Sequence, residues 1–73
     1  MAQETVEVPI TGKIISVDVK EGDEVKEGDM LCLLESMKME NPILAPVAGT
    51  VAKVGVTADQ TVKPGDMIAI IEY

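Results

Sequence analysis

Val25-Lys26-Glu27-Gly28-Asp29-Met30-Leu31-Cys32-Leu33-Leu34-Glu35 returns later in the chain as Val62-Lys63-Pro64-Gly65-Asp66-Met67-Ile68-Ala69-Ile70-Ile71-Glu72, at a constant offset of 37 positions. The same offset lays Pro9 on Pro46, Gly12 on Gly49, Ile14 on Val51, Val17 on Val54 and Val19 on Val56. Residues 8–36 as a whole therefore lie over 45–73. Self-similarity at a fixed period is read before any local feature. Two copies are too few for a solenoid, so two halves that cannot each bury a face alone must pack on one another with approximate two-fold symmetry. The halves run over about 2–36 and 39–73 and form one domain over 1–73.

The symmetry has a topological consequence. Residues 39–44, which enter the second copy, correspond to 2–7, which enter the first. Ser36, which leaves the first copy, corresponds to Tyr73. The 36–39 connection is thus expected at one pole and both termini together at the other. That connection reads Glu35-Ser36-Met37-Lys38-Met39-Glu40. It holds a lysine between two methionines, framed by two acids.

Length and composition narrow the alternatives. Seventy-three residues is close to the lower limit at which a hydrophobic core suffices without staples. With one cysteine and no histidine, neither an internal disulfide nor a zinc cluster can be built. Cys32 lies in the apolar run Met30–Leu34 with no neighbouring cation to activate it, which predicts an inert core thiol. Tyr73 is the only aromatic residue, so the core must consist of Val, Ile and Leu. A formal net charge of −7 argues against nucleic-acid binding or an anionic membrane surface. No apolar run reaches membrane-spanning length, and residues 1–5 lack the pattern of a signal peptide. A cytoplasmic, reducing location is the expectation.

Val, Ile and Thr between closely spaced Gly, Pro and Asp predict an all-β domain of short strands. Strands are expected near 4–9, 12–19, 30–36, 39–45, 49–56 and 67–72, with short pairing segments around Val25 and Val62. In 12–19 the apolar alternation slips between Ile14 and Val17, and its copy slips between Val51 and Val54. The repeated slip predicts a bulge in each strand, where the strand bends from one sheet to the other. Gly22, Gly28 and Gly65 mark turns that need positive φ, while Asp23, Asp29 and Asp66 can accept from turn amides. Gly28, Gly49 and Gly65 are read as structural. Asp59 stands where the first copy has Gly22, and aspartate tolerates left-handed backbone. Pro42 cannot donate to a ladder, which puts its strand at an edge or a bulge.

Taken alone, an exposed lysine in a turn is usually just solvated. Here it sits at the hinge of the repeat, and two large apolar side chains flank it where polar residues are normal. Glu35-Ser36-Met37-Lys38-Met39-Glu40-Asn41, followed by Ala45-Pro46-Val47-Ala48-Gly49-Thr50-Val51, resembles the biotin attachment domain of biotin-dependent carboxylases and decarboxylases. The likeness covers residues 6–72. It implies a flattened barrel-sandwich hybrid of two four-stranded antiparallel sheets, with biotin amide-linked to Lys38. The implied role is a non-catalytic carrier, moving a carboxyl group between a biotin carboxylase or decarboxylase site and a carboxyltransferase. The implied partners are those enzymes and a biotin protein ligase. Met37 and Met39 are expected to shape the turn and the ligase contact, with Glu35 and Glu40 as further ligase-recognition residues.

Ser36 departs from the alanine more common in that motif. A protruding insertion found in some bacterial carriers is missing between 19 and 30. This points towards transcarboxylase, acyl-CoA decarboxylase or carboxylase, or pyruvate carboxylase systems. Two other readings stay open at this level. One is a lipoyl carrier, whose motif usually runs Asp-Lys-Ala. The other is an unmodified β-sandwich adaptor.

Overall fold

The computed structural model describes residues 2–73; Met1, the first residue of the expected domain, lies outside them. Eight strands follow in order: β1 Gln3–Glu7, β2 Gly12–Val17, β3 Glu24–Val25, β4 Met30–Ser36, β5 Met39–Leu44, β6 Gly49–Val54, β7 Thr61–Val62 and β8 Met67–Glu72. They form two four-stranded sheets, ordered β1-β8-β6-β3 and β5-β4-β2-β7. Every pairing is antiparallel. Adding 37 to the residues of β4 and β2, and subtracting it for β5 and β7, generates the other sheet from the β5-β4-β2-β7 sheet. Glu35↔Glu40 becomes Glu72↔Gln3, and Lys13↔Glu35 becomes Thr50↔Glu72.

The symmetry includes the irregularities. Ile15 is the extra residue where β2 pairs β4, and Ala52 is its counterpart where β6 pairs β8. These are the bulges expected from the broken alternation. They do not carry a strand from one sheet into the other, because β2 stays beside β4 and β7, and β6 beside β8 and β3. The chain crosses between the sheets instead in the turns flanking the two-residue strands β3 and β7 and in the β1–β2 and β5–β6 loops. Four turns share one design. Residues 20–23, 26–29, 57–60 and 63–66 each close with the fourth residue's N–H donating to the first residue's carbonyl. The fourth side chain (Asp23, Asp29, Gln60 or Asp66) accepts from the first residue's N–H in return. The third residue has positive φ in all four: Gly22, Gly28, Gly65 and, at 70°, Asp59. Glycine enters that region without steric cost, and aspartate is one of the few residues that tolerates it.

Some strands are shorter than expected. Val8, Pro9, Asp18, Val19, Ala45, Gly55 and Val56 lie outside them. Their polar groups are not abandoned, since the Val8, Asp18 and Gly55 N–H groups donate to the Asp66, Leu31 and Ile68 carbonyls. Pro42 lies on β5, an edge strand, where its missing donor costs no ladder bond.

The inner faces of the sheets make the core. Ile14, Leu31, Leu34, Val51, Ile68 and Ile71 are fully buried, and no polar or charged residue among those described is buried. Cys32 is also fully buried, opposite Ile43 and Val17. Burial, and secondarily Asp18, pushes its thiol up to about 11. It is therefore inert near neutral pH, as expected. No helix among the described residues is long and apolar enough to cross a membrane.

The molecule is elongated, 36 × 18 × 16 Å. β5 leads about 17 Å away from Met39 at the usual strand rise. Five residues after Leu44 the chain reaches Gly49, beside Thr50, which lies level with Glu72 and Gln3. Ala2 and Tyr73 thus meet at the end remote from residues 37 and 38.

Candidate functional site

The end of the molecule at residues 37 and 38 is a hairpin tip. Ser36 pairs with Met39 as the last rung of the β4–β5 ladder, leaving Met37 and Lys38 to make the whole connection. Both are left-handed, with φ of 54° and 66°. Positive φ at both central residues is the mark of a type I′ turn, whose twist matches that of paired strands. Asn-Gly is the usual occupant. A residue with a full side chain costs roughly 1–2 kcal/mol in this conformation, so the tip is strained twice.

The turn is not centred on the lysine. Met37 is a turn residue, 91% exposed, whereas Met39 already belongs to β5 and is 67% exposed. Lys38 projects between two apolar side chains that nothing covers, and it joins no ion pair among the described residues. Glu35 and Glu40 are direct cross-strand partners one rung below. Carboxylates directly opposite one another are unfavourable by a few tenths to about 1 kcal/mol. Lys13 lies across from Glu35 on its other side, though its ammonium contacts Asp59 at 3.9 Å. All five expected site residues are thus gathered at one pole.

The pole includes residues that the motif does not name. Thr11, Gly12, Lys13 and Thr61 face Glu35 to Lys38 across a shallow, open hollow of about 540 Å³. A Cβ on Gly12 would collide with the Glu35 carbonyl oxygen, so only glycine lets the β1–β2 loop lie against the end of β4. The Ser36 hydroxyl donates to the Thr11 carbonyl at 2.7 Å. Pairing of Gly12 with Gly49 in the repeat could have marked that close approach. Nothing local in the sequence marks the Ser36 bond.

Residues 4–71 match the family model described as "Biotin-requiring enzyme". The chain belongs to this family. The biotin-requiring-enzyme domain is 58% identical over 40 residues to the gamma subunit of glutaconyl-CoA decarboxylase from Acidaminococcus fermentans, covering 55% of this chain and 28% of that one. It is 55% identical over 42 residues to a biotinylated protein TB7.3 homologue from Mycolicibacterium smegmatis, covering 58% and 59%. In both cases the matched part is less than two thirds of the relative's length. Among solved structures the domain superposes on the urea carboxylase of Kluyveromyces lactis with a TM-score of 0.89 and 29% identity, over 99% of this chain and 6% of that one. A lipoyl domain of the 2-oxoglutarate dehydrogenase complex of Azotobacter vinelandii superposes at 0.76 with 18% identity, over 93% and 96%. That last likeness is one of fold.

Proposed function

We propose that the domain is a biotin carrier and that Lys38 is its attachment residue. The observation that supports this reading most is the position of Lys38 on a strained two-residue turn, exposed, unpaired among the described residues and remote from both termini. When bound, biotin supplies a ureido nitrogen that takes up and gives up a carboxyl group. The chain supplies the presentation. In attachment, the Lys38 ammonium loses a proton to a base on the ligase, since an ordinary lysine is protonated at neutral pH. Its Nζ attacks the acyl carbon of biotinyl-adenylate, the new C–N bond forms, and AMP leaves as the C–O bond breaks. The adduct nitrogen gives up a second proton to leave the neutral amide. One positive charge disappears, taking the formal net charge from −7 to −8.

Met37 and Met39 offer the ligase an adaptable apolar contact on each side of the amine. Glu35 and Glu40 are assigned to partner recognition. Their juxtaposition is unfavourable within the free chain, and local conflicts of this kind concentrate at functional sites. The domain itself performs no bond chemistry. A tether fixed at the free pole gives high effective concentration at successive active sites. The partners are a biotin protein ligase in the cytoplasm, a biotin carboxylase, and a carboxyltransferase or decarboxylase acting on an acyl-CoA or a comparable acid.

Expression with both a biotin and a lipoyl attachment system tests the reading by intact mass. One biotinyl group is expected, lost completely in Lys38→Ala while the melting temperature is retained. Biotin on the Lys38→Ala protein would refute the site, and a lipoyl group on the native chain would refute the cofactor.

A further inference from the structure

Most side-chain hydrogen bonds among the described residues stay within a turn or join neighbours two or three positions apart. One side-chain-to-backbone bond joins separate segments: Ser36 Oγ to the Thr11 carbonyl, 25 positions away. Its geometry depends on Gly12. Because Gly12 has no Cβ to strike the Glu35 carbonyl or the Leu34 methyl, the β1–β2 loop lies against the last residues of β4. That contact brings the Thr11 carbonyl within reach of the hydroxyl.

The symmetry provides an internal control. Gly49 lies against the Glu72 carbonyl in the same way, yet the residue in Ser36's place is Tyr73, which has no corresponding bond. Its backbone exchanges two 2.9 Å hydrogen bonds with Ala2, the counterpart of the Ser36–Met39 rung. The close approach therefore belongs to the fold, whereas among the described residues the hydroxyl bond is found only at the pole bearing Lys38.

We infer that Ser36 is a positioning residue for the acylation of Lys38: its bond to Thr11 anchors the residue entering the Met37-Lys38 turn. The inference rests on Lys38 being the acceptor. The turn holds two side-chain-bearing residues in a left-handed conformation, so competing conformations lie close in energy. Anchoring Ser36 keeps the turn in the form a ligase can engage. Without the anchor, a smaller fraction of chains is competent, and the apparent affinity falls by that fraction. A neutral hydrogen bond of this kind corresponds to roughly a two- to tenfold effect.

The test uses the full unmodified chain, a biotin protein ligase, biotin and ATP, with native, Ser36→Ala and Ser36→Thr proteins compared. Ser36→Ala is expected to raise KM for the carrier about two- to tenfold with kcat unchanged, and to speed amide exchange at residues 37–39 alone. Ser36→Thr, which keeps the hydroxyl, is expected to restore both. If the native chain is acylated and Ser36→Ala shows the same KM and the same exchange, the inference is overturned. It is also overturned if exchange rises across the whole domain and Ser36→Thr does not rescue, since the bond is then merely structural. If the native chain takes up no biotin, the acceptor assignment fails instead. Exchange at 37–39 still decides whether the anchor exists.

Discussion

The two poles of this domain are built from equivalent residues and finished differently. At the terminal pole Ala2 and Tyr73 close the ladder with two backbone hydrogen bonds and no covalent connection between them. At the other pole the equivalent pair, Met39 and Ser36, is bridged by Met37 and Lys38. The terminal pair shows that this rung forms without a turn to enforce it. The strands therefore do not need a good turn sequence at the Lys38 pole, and a strained Met-Lys pair is tolerated where Asn-Gly would fit better. The rungs below differ in the same sense. Gln3 donates to Glu72 at 3.1 Å, while the equivalent Glu40 faces Glu35 as a like charge. One pole is arranged for stability, and the other retains two unfavourable features around the exposed amine of Lys38, unpaired among the described residues.

Substitutions at matched positions test how deep the likeness runs. Leu34→Ala and Ile71→Ala remove equivalent, fully buried side chains. Each is expected to cost about 2–5 kcal/mol in denaturant unfolding, and a near-neutral result at either site would break the symmetric core. Gly12→Ala and Gly49→Ala push a Cβ onto equivalent carbonyls. Both should lose roughly 1–3 kcal/mol, but only Gly12→Ala should also slow biotin attachment, because only that loop is bonded to Ser36.

Cys32 is equivalent to Ala69, and both are fully buried. The folded thiol is raised to about 11 from 9.0, so the folded state holds its proton more tightly than the unfolded chain. Its contribution is fully present below pH 9 and is lost as the pH climbs towards 11. That loss is on the order of 1–3 kcal/mol. Unfolding measured across this range should be less pH-dependent in Cys32→Ala, and an unchanged slope would place the titration elsewhere. The smallest effect is expected from Glu40→Gln, which copies the terminal rung onto the Lys38 pole. It should stabilise the domain by about 0.2–1 kcal/mol while weakening ligase recognition, read as a higher KM.

Much of this is legible in the sequence. The strand positions, both bulges, the left-handed Asp59 and the edge placement of Pro42 follow from local chemistry doubled by the repeat. Strand ends were overextended at Val8, Val19 and Val56. Val8 and Val56 belong to the core and Val19 packs against it, a reason for burial that alternation cannot distinguish from pairing. The sheet crossing expected at the bulges fails for a similar reason. A broken alternation reveals an extra residue, but the sheet the chain enters next depends on the turn that follows. At the site, Met37, Lys38, Met39, Glu35 and Glu40 could be singled out from their order. The left-handed turn could not, because Met-Lys has no intrinsic preference for it.

Order along the chain was therefore enough to establish the β class, the two-fold plan and the residue presented at the free pole. Periodicity, turn chemistry and internal likeness are all properties of neighbouring or repeated residues. The opposition of Glu35 to Glu40, the loop lying against β4 at Gly12 and the Ser36 anchor on Thr11 required the folded arrangement. Each joins groups whose meeting depends on register and packing across separate segments. Whether such a meeting helps or strains the chain is settled only when the surrounding sheets hold both groups in place.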